Sequence, residues 1–226
     1  MTPEVAPTFD EWLKWVFDHP VAEKTSDEWW WHVPDGDEGG VWLDRPPEQA
    51  LAFVTKLFEN PLPSLSSYSD EQINQGINFI VYRACSTHFE GLVDHRIDLR
   101  LRRRCIRSLE NLSREVFAPR CSDEVIHGTK PLDNMCYMLW DLIVLDAETA
   151  ECVRDPEIDK EILDTLVRIL AMPSIACQQS ALHGLGHLVR HAALGPTVIQ
   201  QYLDDHPNLR TDLREYAHKA LAGTIL

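Results

Sequence analysis

The sequence predicts an all-α chain, and three observations carry that prediction. Apolar residues recur at three- and four-residue steps through the long segments, no segment alternates as a half-buried strand would, and polar caps and prolines punctuate the runs. A chain of 226 residues with 44% hydrophobic and 25% charged side chains can bury one substantial core. It reads as a single helical domain over 1–226. Within it lie an N-terminal helix and acidic Trp-rich excursion over 1–46, irregular helical pairs over 47–156, and two repeated units over 157–226.

The opening run TFDEWLKWVFDHP sets Phe9, Trp12, Leu13, Val16 and Phe17 on one helical stripe, with Thr8 as N-cap and Pro20 beyond the end. The next run, SDEWWWHVPDGDEGGVWLDRPP, breaks the period with Gly, Pro and acid and predicts an ordered excursion holding at most a minor hairpin. PPEQALAFVTKLFENP restores the helix, with Pro47 in its first turn and Pro61 as its stop. Ser69, followed by Glu71 and Gln72, opens another helix in DEQINQGINFIVYRACSTHF. DHRIDLRLRRRCIRSLENLSREVF and PLDNMCYMLWDLIVL are helical by the same period.

The C-terminal third repeats. A shift of about 36 residues lays Ile162, Leu163, Leu166 and Val167 over Val198, Ile199, Tyr202 and Leu203, and Ala181 and Leu185 over Ala217 and Leu221. A helical hairpin of that period cannot bury its apolar face alone and stacks on its neighbours. EILDTLVRILAMPSIACQQSALHGLGHLVRH and TVIQQYLDDHPNLRTDLREYAHKALAGTIL thus resemble successive repeats of the HEAT family. The resemblance implies an irregular α-solenoid whose inner-helix polar faces line a concave, ligand-contacting side. Upstream, Met138 and Leu142 match inner-helix positions at a longer, irregular spacing.

Charge and cysteine usage narrow the function. The 21 Lys and Arg against 36 Asp and Glu leave a net charge of -15, which disfavours nucleic acid and anionic membranes and draws in a basic partner. The six cysteines form neither a C-x-x-C pair nor a short Cys/His cluster. The start MTPEVAPTFDEW lacks a basic segment leading into an apolar run, and no apolar stretch reaches membrane-spanning length. Free thiols in a reducing cytoplasm, with no membrane partner, are the expectation. The run DGDEGG imitates a calcium loop, but Gly39 and Pro46 stand where ligands are needed. Neither a G-x-S-x-G elbow nor a phosphate-cradling Gly loop occurs.

Three groups of side chains compete for the functional role. His183, His187 and His191 recur every four residues, and at about 100° per residue they fall opposite the arc of Ala181, Leu182, Leu185, Leu188, Val189 and Ala192. The wheel therefore expects an accessible histidine row outside the core. A metal there needs a further ligand from another helix, for which His218 and Glu215 are the near choices, and neither completes an H-E-x-x-H motif. The expectation is a partner-contacting or solvated row with no metal and no cofactor. Arg96, Arg100, Arg103 and Arg107 make a basic stripe, which reads either as a phosphate-gripping ridge resembling that of HEAT-like DNA glycosylases or as a face paired with the abundant carboxylates.

The third group interleaves Trp29, Trp30 and Trp31 with Asp27, Glu28, Asp35, Asp37 and Glu38. Tryptophan rimmed by charge is a common binding hot spot, and tryptophans also plug the ends of helical arrays. Taken together, these features predict a non-enzymatic scaffold or inhibitor that binds a basic protein through the Trp-rich segment and the histidine row. By analogy of class, toxin-neutralising immunity proteins fit such a chain. The alternatives are a metal-assisted hydrolase built on the histidine row and a nucleic-acid repair protein built on the arginine stripe.

Overall fold

The computed structural model describes residues 8–24, 27–32, 45–125, 128–143, 155–189 and 194–225. Within them the secondary structure is all helical. Helix α1 spans Phe9–Phe17, α2 Pro47–Glu59, α3 Asp70–Val81, α4 Leu99–Leu112 and α5 Asp133–Leu142. Helix α6 spans Pro156–Leu170, α7 Ile175–Val189, α8 Leu194–Asp205 and α9 Thr211–Leu221. No helix among the described residues is long and apolar enough to cross a membrane.

Local chemistry starts these helices where the sequence places the caps. At α1 the Thr8 hydroxyl accepts from the Glu11 N–H at 3.3 Å while Glu11 accepts from the Thr8 N–H at 2.7 Å, which satisfies two otherwise orphaned donors. Ser69 and Gln72 make the same reciprocal pair at α3. Pro47 occupies the first turn of α2, where a missing N–H costs nothing. Two boundaries differ from expectation. Pro61 begins a further helical turn, Pro61–Leu65, and α3 ends at Val81, eight residues short of the Phe89 that closes the predicted run. Past it the Ser86 hydroxyl donates to the Phe79 and Ile80 carbonyls at the helix end, a local bond that helps the chain turn away.

Packing runs α1 on α3, α3 on α5, α2 on α4, and α4 on α6, and these groups converge on α7, which touches α5, α6, α8 and α9. Two glycines permit that approach. A Cβ on Gly184 would stand 2.8 Å from both Leu166 Cδ2 and Trp140 Cγ, and one on Gly186 would stand 2.3 Å from Ile225 Cδ1. The repeat-aligned residues Ile162, Leu166, Ala181, Leu185, Ile199, Tyr202, Leu203 and Ala217 are all buried, whereas Leu163, Val198 and Leu221 are partly so and Val167 is exposed.

Toward the N-terminal helices the same core is continued by Trp12, Phe17, Phe58 and Phe79. Inside it the Trp12 indole N–H donates to His88 Nε2 at 2.9 Å. Burial, aided by the Arg45 charge, pushes His88 down to about 3 from 6.5, so the ring stays neutral. The unfolded chain therefore takes up a proton at His88 below about pH 6.5 that the folded chain refuses until about 3, and stability falls with pH across that window. Between pH 7 and 5 the loss is about 2 kcal/mol at 1.36 kcal/mol per unit.

Two outcomes test this packing by urea unfolding. Gly184→Ala gains about 1 kcal/mol of helix propensity but forces the Trp140 ring away at a cost of about 1–3 kcal/mol, so a net destabilisation is expected. His88→Gln keeps an acceptor for Trp12, and its urea midpoint should fall less than that of the natural chain between pH 7 and 5; an identical pH dependence would contradict the buried neutral ring.

Candidate functional site

The histidine row is taken apart by the fold. His183 is 0% exposed, which corrects the outward orientation read from the wheel. Because α7 is covered on several sides, the arc opposite its aliphatic residues is not left to solvent but meets α5 and α9. His187, one turn on, has a side chain 22% exposed, and His191 lies outside the described residues.

Asp141, near the C-terminal end of α5, closes on both rings. His183 Nε2 lies 2.9 and 2.8 Å from its two carboxylate oxygens, and His187 Nε2 is in direct contact with Oδ1. The two Nε2 atoms are themselves 3.1 Å apart. On the far side of the His183 ring, Nδ1 is 2.5 Å from Tyr216 Oη of α9, and that hydroxyl donates to Tyr137 Oη of α5 at 3.3 Å. Burial alone would raise the Asp141 carboxyl, but the contacts with His183 and His187 outweigh it and hold the group well below the usual carboxylate range. Two imidazole nitrogens and a carboxylate oxygen converge here, while His218 and Glu215, the extra ligands suggested by sequence, are exposed on α9 outside this cluster.

Asp141 is the residue that sequence reasoning missed. It sits in an apolar run 42 residues before His183, with no motif joining the two. The signal available was on α7 itself: Ser180 and Gly184 put small residues on one side and Gly186 puts one on another, as suits a helix with neighbours on more than one face.

The tryptophans divide. Trp30 is 8% exposed and packs on Phe79, while Trp29 stacks on His19 at 4.0 Å between ring centroids and meets Trp15 and Phe79. Both are fixed by the N-terminal core, which corrects the expectation that they stand ready for a partner. Trp31 is 51% exposed. Asp27 is exposed and Glu28 half-buried; Asp35, Asp37 and Glu38 lie outside the described residues.

Trp31 and Glu28 rim a cavity of about 210 Å³ between the short helical turn Trp29–His32, α3 and α5. Tyr82, Asn74, Asn78 and Met138 line it. Burial raises the Glu28 carboxyl, and among the described residues its side chain makes no hydrogen bond or ion pair. The Cys85 thiol beside it is pushed up to about 11 by burial and by that carboxylate. A larger cavity of about 390 Å³ between α6 and α8 is lined by Val167, Leu170, Val198 and Tyr202 and is mostly apolar.

Two members of the arginine stripe pair across helices. Arg103 and Arg107 of α4 donate to Glu161 of α6 at 2.8–3.1 Å, and Arg168 reaches the same carboxylate. Arg96 is bound to Asp94, and Arg102 reaches the Leu92 carbonyl and Asp155. The Glu161 side chain is 2% exposed; burial would raise its carboxyl, yet the guanidinium groups of Arg107 and Arg103 bring it below the ordinary value. Arg103 and Arg107 thus fasten α4 to α6, while Arg96 stays exposed beside Asp94 and, among the described residues, Arg100 does not join the ion pairs between the two helices.

Compared with protein-family models, curated proteins and solved structures, the chain matches none.

The ion-pair cluster makes a checkable statement. Glu161→Gln removes the charge that three guanidinium groups share, and since the arginines can turn to water the cost should be about 2 kcal/mol in chemical unfolding. A change near zero would mean that the cluster does not join the helices.

Proposed function

We propose that this chain is a non-catalytic binding protein for a basic protein partner, and that the cavity rimmed by Trp31 and Glu28 takes a lysine or arginine side chain of that partner. The observation that carries the reading is the Glu28 carboxylate, half-buried with no cationic partner among the described residues, beside the exposed rings of Trp31 and Tyr82. An entering cation pairs with the Glu28 carboxylate whose charge burial opposes, gains cation–π contact from the aromatic rings, and finds amide oxygens at Asn74 and Asn78. The net charge of -15 supports steering of a basic partner from a distance.

The helix pairs α6–α7 and α8–α9 support placing this binder among HEAT-like stacked arrays, with toxin-neutralising immunity proteins as the class it suits. The described cysteines are free, four of the five being buried, which fits a reducing cytoplasm. Pairing of Arg103 and Arg107 with Glu161 and of Arg96 with Asp94 weighs against the nucleic-acid alternative.

Capture of the partner from the native host, followed by surface-based kinetics with the natural chain and two variants, tests the reading. Trp31→Ala should cost about 2 kcal/mol, roughly thirtyfold, mainly through faster dissociation. Glu28→Gln should weaken binding about tenfold, and added salt should slow association. Folded variants that bind as tightly as the natural chain would remove the cavity from the interface.

A further inference from the structure

The geometry points to a binding site for one divalent first-row transition-metal ion, of the zinc class, held by Asp141, His183 Nε2 and His187 Nε2. This site is independent of the partner-binding cavity. The two histidines stand one turn apart on α7, so their rings share a face, and α5 supplies the carboxylate from the side. The ligand atoms of all three lie within 4.8 Å of one another.

Counting protons shows why an ion suits these atoms. Each neutral imidazole carries one N–H. If both Nε2 atoms carry it, two N–H groups aim at one carboxylate with their nitrogens 3.1 Å apart. If His183 carries its proton on Nδ1 instead, the bare Nε2 faces two carboxylate oxygens at 2.8 and 2.9 Å. Either arrangement leaves one like-with-like contact in a buried place, and adding a proton to a ring leaves the first contact as it was. A dication between the three atoms removes the conflict, because each turns a lone pair to it. Bonds of about 2.0–2.2 Å in tetrahedral geometry set ligand atoms about 3.3 Å apart, so the two Nε2 atoms separate by a few tenths of an ångström and the His187 ring draws further off Asp141 Oδ1.

The outer partners agree with that assignment. With Nε2 given to the ion, His183 holds its N–H on Nδ1 and donates it to Tyr216 Oη, which leaves the Tyr216 O–H to donate to Tyr137 Oη 3.3 Å away. A ligating histidine commonly has its other nitrogen fixed in this way. Burial differs across the cluster: His183 is fully enclosed, whereas the Asp141 and His187 side chains are 18% and 22% exposed, so an ion enters from one side and keeps a position for water. Two imidazoles with one carboxylate suit zinc and its neighbours; calcium and magnesium require oxygen donors throughout. The bound ion would clamp α5 to α7.

The test uses the untagged full chain, stripped with a chelator and titrated with zinc chloride by calorimetry, with cobalt(II) absorption as a second reading. One equivalent should bind, cobalt should give visible bands of a nitrogen- and oxygen-ligated ion, and zinc should raise the melting temperature. His187→Ala, on the partly exposed side, and Asp141→Asn should each weaken binding about a hundredfold, while Tyr216→Phe, which keeps the packing ring, should weaken it about tenfold or more. Circular dichroism checks the fold of each variant, and His187→Ala alone suffices should Asp141→Asn unfold. Absence of zinc uptake by the folded natural chain would overturn the site. Uptake that His187→Ala leaves unchanged would overturn it too, placing the ion elsewhere.

Discussion

Helix α7 is enclosed by α5, α6, α8 and α9, and much of the remaining structure follows from that enclosure. A helix covered on so many sides must carry small residues where neighbours come closest, which Gly184 and Gly186 supply. It must also find internal partners for every polar side chain it keeps, since an unpaired polar group in the interior costs about 1–3 kcal/mol. Ser180 meets this demand by donating to the Cys136 carbonyl, and His183 meets it with Asp141 on one side and Tyr216 on the other. The polar cluster is the consequence of burying that helix, and its residues come from the very helices that bury it.

Helix α5 links the two places where chemistry is concentrated. Its residues Asn134, Met138 and Leu142, four apart, line the cavity under Trp31, while Tyr137 and Asp141, also four apart, face the histidines. One helix thus shows one stripe to a cavity and another to a buried cluster, as the helical period allows. A rigid α5 fixes the geometry of both, which gives the helix more to do than its length suggests.

The charges fall into two populations with different roles. Arginines of α4 and α6 are drawn inward onto Glu161, where several hydrogen bonds to one carboxylate offset the cost of burying it. These arginines bridge α4 and α6 at a partly exposed seam, and the excess of acid in the chain as a whole, a net charge of -15, is left to the rest of the surface.

The sequence by itself determined which segments are helical and where several of them start, because those properties depend on neighbours within four residues. Thr8 with Glu11, Ser69 with Gln72, and Pro47 in the first turn all act within a single helical turn, so reading them required no knowledge of the fold. The buried positions of Ile162, Leu166, Ala181, Leu185 and Ala217 were legible for the same reason, as a helical period marks an apolar stripe. Tertiary structure alone decided what the polar faces meet. A wheel places His183 opposite the aliphatic arc but cannot say whether that side is water or another helix, and Asp141 reaches it across 42 residues of chain. Arg107 finds Glu161 across 54 residues, and Trp29 meets Phe79 only because α1 and α3 pack side by side. Contacts of that kind depend on how helices are placed in space, which local sequence rules do not encode.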